Sequence, residues 1–130
     1  MAITALYAGL LTVLFLVLSF RVIGVRRGQR VEIGDGGDKE LLRRTRVHGN
    51  FAEYAPLALV LMGLAESMKA APWTLHLVGI ALLLGRVAHA YGLSQTPHVL
   101  PLRVGGMVLT FTALSVLALA CLVLSWRVVV

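Results

Sequence analysis

"RRTRVHGNFAEYAPLALVL", residues 43–61, opens as a basic, polar segment and closes as an apolar one, with no turn signal between its halves. Arg46, Asn50, Glu53 and Tyr54 stand at i, i+4, i+7 and i+8. At about 100° per residue they occupy roughly 100° of a helical wheel, and Arg43 falls in the same arc. His48 and Gly49 point elsewhere. Five hydrogen-bonding groups therefore share one stripe near the start of a helix that continues into apolar sequence. Charged groups at such depth face a bundle interior or a wet cavity rather than lipid. A packing clamp between membrane helices needs only one Ser or Asn, so this stripe exceeds what packing requires.

The rest of the chain supplies the membrane. Of its 130 residues, 58% are hydrophobic and only 14% charged, with a mean hydropathy of +0.87. That is too little polar surface to cover a soluble core. Ala2–Phe20 and Val104–Trp126 carry no charge at all, and each is long enough to cross a hydrocarbon layer. The shorter uncharged runs Tyr54–Ala65 and Ala70–Gly85 extend through polar residues into full spans. The pattern predicts an all-α membrane protein, a single four-helix domain over 1–130. Its spans are predicted at about 3–23, 40–68, 72–93 and 102–126. The first run lacks a basic leader and ends in "SFRVIGVRR", so it reads as a retained helix, not a cleaved signal.

The net charge of +6 does not point to nucleic acid. Arg21, Arg26, Arg27, Arg30, Lys39, Arg43, Arg44 and Arg46 lie between the first two spans or at the mouth of the second, and Arg86 and Arg103 flank the third connection. Lys69 and Arg127 alone lie on the other side. The positive-inside rule then places both termini on the outer side, with Trp73 and Trp126 at the outer interface. In the first connection "GDGGD" reads as a tight turn, without the strand–helix context of a phosphate loop. Asp38 is a candidate N-cap for the second helix. Pro56 predicts a local kink, and Pro72 suits the first turn of the third helix. Gly9 and Ser19 could seat a neighbouring helix, and His76 is expected to have a hydrogen-bonded structural role. Cys121 reads as a small buried hydrophobe.

A second polar set lies in "GRVAHAY", where Arg86 and His89 share a face at i, i+3. Tyr91 reads equally well as an interfacial anchor and His98 as a loop residue. Arg103 opens the fourth helix, where the helix dipole disfavours a cation, which hints at an anion. Arg43, Arg46, Arg86 and Arg103 are thus expected to form a cationic pocket lip, with Arg46 paired to Glu53 through Asn50. An anionic, peptide-like ligand with an amine for Glu53 would suit it. No metal site is indicated by the His spacings, and no side chain is placed as an activated nucleophile, so any nucleophile must arrive with a co-substrate.

The second-helix residues Arg43, Arg46, Val47, Asn50, Glu53, Tyr54 and Pro56, followed by "LALVLMGLAE", resemble the signature of the MAPEG family, the membrane-associated proteins in eicosanoid and glutathione metabolism. "GRVAHAYG" resembles that family's third-helix motif, and Arg103 matches the arginine that begins its fourth helix. The loop "EIGDGGDKE" and "RVHGNFAEY" look closest to its small bacterial inner-membrane members. The resemblance covers essentially the whole chain. It implies a homotrimer in the bacterial inner membrane, with glutathione as co-substrate near the cytoplasmic face. On the matching positions it implies glutathione binding by Arg46, Asn50, Glu53 and Tyr54, with Arg43 beside them. Arg86 and His89 would be pocket residues, and Arg103 the catalytic residue that stabilises the thiolate. The second substrate would be a lipophilic electrophile or hydroperoxide entering from membrane lipid. Two substitutions bear on catalysis, Leu93 where family enzymes often have a tyrosine and Gly49 where some carry an arginine, and the inner turn before Arg103 is one residue longer than in some members. A non-catalytic member that binds glutathione or lipid is therefore the alternative. A small proton-coupled transporter fits less well, since the first helix has no carboxylate.

Overall fold

The computed structural model describes residues 1–129. Four helices follow one another: α1 (Ala2–Gln29), α2 (Lys39–Ser67), α3 (Pro72–Ser94) and α4 (Leu100–Val129). Their ends follow from local chemistry. Asp38 caps α2, its carboxylate accepting from the Leu41 N–H at 2.7 Å. Pro72 stands at the first turn of α3, where a missing N–H costs nothing. α1 ends on Arg30 in a left-handed conformation, its N–H returning to the last-turn carbonyls. Pro56 sits inside α2 without ending it.

α1, α3 and α4 are long and apolar enough to cross a membrane. α2 is equally long, but its first turns hold Arg43, Arg44 and Arg46. α2 and α3 form the central pair. α1 packs on both, α4 packs on both, and α1 and α4 do not meet among the described residues. The core between them is built from Tyr7, Leu11, Phe51, Met62, Leu82 and Leu117, with their neighbours. Much of the remaining apolar surface is open, including Val13, Phe20, Val60, Leu84 and Leu122, as expected of helices whose outer face meets lipid.

The α3–α4 seam is the closest. A Cβ on Gly106 would fall 2.5 Å from the Gly85 carbonyl oxygen and 2.6 Å from the His89 nitrogen. One on Gly92 would fall 2.8 Å from the Arg103 nitrogen. Small residues let the two backbones meet, the usual device when lipid supplies no hydrophobic drive. The small residues of α1 that were expected to seat a helix divide differently. Gly9 faces open space, because Tyr7 makes the close contact instead, its ring lying over Gly79. Ser19 does meet a neighbour, His48 Nε2, at 3.1 Å.

Candidate functional site

The stripe on α2 divides into an inner and an outer half. Val47, Phe51 and Ala55 are buried, so the residues one position before them turn partly away from the core. Arg46 and Glu53 are largely exposed, and the Arg46 Nη1 lies 3.9 Å from Glu53 Oε1. Asn50 and Tyr54, a little further round the helix, are half-buried and look toward α3 and α4.

Arg86 of α3 is the centre of the inner half. It is 1% exposed, and its donors reach two other helices. Nε donates to Thr110 Oγ1 at 3.0 Å, Nη1 to Asn50 Oδ1 at 2.9 Å, and Nη2 lies 3.0 Å from the Met107 sulfur. The guanidinium also stands 5.5 Å from the centre of the Tyr54 ring, within cation–π range. Tyr54 in turn meets Phe111 edge to face. Thr110 passes its own proton to the Gly106 carbonyl at 2.8 Å. No carboxylate pairs with Arg86 among the described residues; amide, hydroxyl, thioether and π-face take its place.

This arrangement corrects two expectations. Arg86 is not part of an exposed lip, because the close α3–α4 seam encloses it. Asn50 does not relay Arg46 to Glu53, because its oxygen is taken by Arg86. Arg46 and Glu53 instead meet directly on the open side of α2.

His89 is also enclosed, at 4% exposure. Its Nδ1 lies 2.9 Å from the backbone oxygen of Arg103, so Nδ1 carries the proton and donates it. Nε2 is buried without a partner. His89 and Gly92 together fix the backbone where α4 begins, which leaves the Arg103 side chain exposed at that end of the bundle. Arg43 donates to the Thr96 hydroxyl and so ties α2 to the α3–α4 turn. Arg43 and Arg46 share a groove of about 410 Å³ with Lys39, Leu42, Leu93 and His98.

The family model "MAPEG family" matches residues 4–123. The chain belongs to the MAPEG family. It is similar to the "Inner membrane protein YecN" of Escherichia coli strain K12, at 41% identity over 128 residues, 98% of this chain and 96% of that one. The same figures hold for the protein of that name from Escherichia coli O6:H1 strain CFT073. With the apolar helices, these likenesses make the chain an integral membrane protein of the MAPEG family.

Set on this MAPEG chain, the two substitutions acquire positions. Leu93 lines the groove beside Arg43 and Arg46, where a tyrosine would have brought a hydroxyl. Gly49 faces open space, so nothing fills the place of a longer side chain.

Other polar contacts went unread in the sequence. Glu66, the residue that follows the uncharged run Tyr54–Ala65, accepts from the Ile3 and Thr4 N–H groups at 3.0 and 2.8 Å and so caps α1 from another helix. His76 does have a hydrogen-bonded role: the Tyr7 hydroxyl lies 3.1 Å from its Nδ1 and donates to its carbonyl at 3.1 Å. The Ser19–His48 pair is not a nucleophile and its base, since Ser19 gives its proton to the Phe15 carbonyl at 2.8 Å. Cys121 is half-buried and its thiol donates to the Leu61 carbonyl.

Proposed function

We propose that this chain is an inner-membrane protein that binds glutathione near the cytoplasmic face and activates its thiol. In this reading α2 is a fourth span, both termini lie outside, and three copies assemble so that neighbouring subunits complete each site. The observation that carries it is the set of accessible charges at one end of the bundle. Arg43, Arg46 and Arg103 are cations there, with the carboxylate of Glu53 facing Arg46. Glutathione has two carboxylates, one ammonium and a peptide backbone, and this donor and acceptor set complements it. As an exposed pair Arg46 and Glu53 contribute little to stability, so a ligand can part them at small cost. The inner residues play a different part: Arg86 holds Asn50 and Tyr54 in place, and His89 holds the backbone of Arg103.

Arg103 is assigned to the thiol. A free thiol has a pKa of about 8.5 and is mostly protonated at neutral pH. A guanidinium beside it favours the thiolate, by about 1.36 kcal/mol for each unit of depression. The thiolate sulfur then bonds to the electrophilic carbon of a lipophilic substrate, with a leaving group departing or, in an addition, a proton taken up from water. With a hydroperoxide it attacks the outer oxygen, the O–O bond breaks, the alkoxide takes a proton and leaves as an alcohol, and a second glutathione converts the resulting sulfenic acid to disulfide and water. Leu93 favours a second reading, in which the protein binds glutathione or lipid without turnover, because it removes a hydroxyl from the groove.

The test is the thermal stability of the detergent-purified protein with millimolar glutathione and with its S-methyl derivative. A ligand at about a hundredfold its Kd stabilises by about 2.7 kcal/mol. Both are expected to raise the midpoint, and Arg46→Ala or Glu53→Gln to abolish the rise while the helical signal persists. A rise that survives both substitutions removes the site from α2. Ultraviolet thiolate absorbance, present only with glutathione and lost in Arg103→Ala, separates activation from binding alone.

A further inference from the structure

The groove that holds Arg43 and Arg46 has an amphipathic lining. Lys39 and Arg43 stand on the first two turns of α2, His98 on the α3–α4 turn, and between them lie Leu42, 47% exposed, and Leu93. No carboxylate lines it. The nearby acids are committed elsewhere: Asp38 to the Leu41 N–H, Asp35 to the Gly37 N–H, and Glu40 to Arg44. Glu53 faces Arg46 and offsets that cation only. Neither Lys39 nor Arg43 has an ion-pair partner among the described residues, so both bring positive charge to the groove.

Its level along α2 matters as much as its charge. At about 1.5 Å per residue, Lys39 lies roughly 10 Å beyond Arg46 along the axis. Counted back from Ser67 at the far end of α2, a hydrocarbon layer of about 30 Å takes about twenty residues and reaches to about residue 48. The groove residues Leu42, Arg43 and Arg46 lie just beyond that point, at the level of lipid headgroups. Leu42 stands between Lys39 and Arg43 along α2, so cations and leucines are interleaved at that level, as a phosphate beside the glycerol and first methylenes of a lipid requires.

We propose that this groove binds an anionic phospholipid, with its phosphate at Lys39 and Arg43 and its glycerol–acyl portion over Leu42 and Leu93. Basic residues at a helix mouth attract the anionic leaflet in general. Here the bond from Arg43 to Thr96 fixes one of them in a groove with an apolar floor, which makes a site of what would otherwise be a diffuse field. The proposal does not rest on glutathione binding; the two ligands share Arg43 and would compete for it.

The probes are dihexanoyl phosphatidylglycerol, dihexanoyl phosphatidylcholine and inorganic phosphate, titrated against the protein in uncharged detergent with the thermal midpoint as readout. The phosphatidylglycerol is expected to raise the midpoint at tenfold lower concentration than the phosphatidylcholine, with a response that shrinks as salt is added. Phosphate at equal concentration is expected to do nothing. Lys39→Glu places an acid at the first turn of α2, where the helix dipole tolerates it, and is expected to weaken the response at least fivefold. Adding Arg43→Gln should abolish it. Equal responses to the two lipids overturn the proposal, as does an unchanged response in Lys39→Glu. A rise with phosphate alone overturns it in favour of a soluble anion. Should the double variant fail to fold, Lys39→Glu alone decides.

Discussion

The bond between Arg86 and Asn50 gives a prediction whose sign and asymmetry both follow from burial. Consider Asn50→Leu, Arg86→Met and the double variant. Asn50→Leu removes the 2.9 Å acceptor of a guanidinium that is 1% exposed and has no carboxylate partner. Leaving a buried charged donor short of a partner costs on the order of 2–3 kcal/mol. Arg86→Met leaves the opposite orphan, an amide on a half-buried residue that water or a neighbouring group can still reach. Methionine also keeps most of the volume, and exchanging a buried charge for an apolar side chain recovers its desolvation. That variant is expected to lose only about 1 kcal/mol. The backbone bond from Arg86 to the Asn50 carbonyl, at 3.4 Å, survives in Asn50→Leu, so the cycle isolates the side-chain bond. Membrane double-mutant cycles average about 0.6 kcal/mol with a maximum near 1.7. A charged donor buried at this depth belongs at the upper end, so the coupling is expected at about 1.5 kcal/mol. The assay is reversible unfolding in mixed detergent micelles, followed by circular dichroism. Additivity within about 0.3 kcal/mol, or an Arg86→Met variant less stable than Asn50→Leu, refutes the reasoning.

Two further outcomes follow from the helix packing. Gly106→Ala puts a methyl 2.5 Å from the Gly85 carbonyl oxygen and should destabilise by about 3 kcal/mol or prevent folding. Gly105→Ala meets nothing within 4 Å and should be neutral or raise stability by up to about 1 kcal/mol; the paired unfolding curves check both. Glu66→Gln keeps one acceptor oxygen where the carboxylate supplies two, Oε1 to the Ile3 N–H and Oε2 to the Thr4 N–H, and removes the charge that meets the positive end of α1 and the N-terminal ammonium. A loss of about 1–2 kcal/mol is expected, and faster amide hydrogen exchange in the first turn of α1 would locate it.

The helices were legible because uncharged runs and end signals are local properties. Asp38 and Pro72 act within one turn of themselves, and the sequence shows that turn whole. The stripe on α2 was legible as well, since a wheel needs only the spacing. What a wheel lacks is the neighbour. It placed Asn50 between Arg46 and Glu53 because all three share an arc, yet Asn50 turns a little further inward and meets a guanidinium from α3. Arg86 looked like a lip residue because a charge at that depth is expected at water. Its enclosure depends on Gly85 and Gly106 letting α4 close over it, and contacts between residues some twenty positions apart are not written in either one's vicinity. Glu66 escaped notice for the same reason, its partners being more than sixty residues away.

Arg86 also constrains how the chain can be put into a bilayer. A lone α3 in lipid would carry a bare guanidinium, and insertion scales put that at about 2.5–3.5 kcal/mol near the middle of a span. The groups that relieve it come from both sides in sequence: Asn50 has already been synthesised when α3 emerges, whereas Thr110 and Met107 have not. α3 is therefore only half satisfied until α4 arrives. A chain that stalls or is cut between them displays an unsatisfied cation in the membrane. The same residue that joins three helices in the finished bundle thus marks an unfinished one, and gives quality control a chemical feature to read.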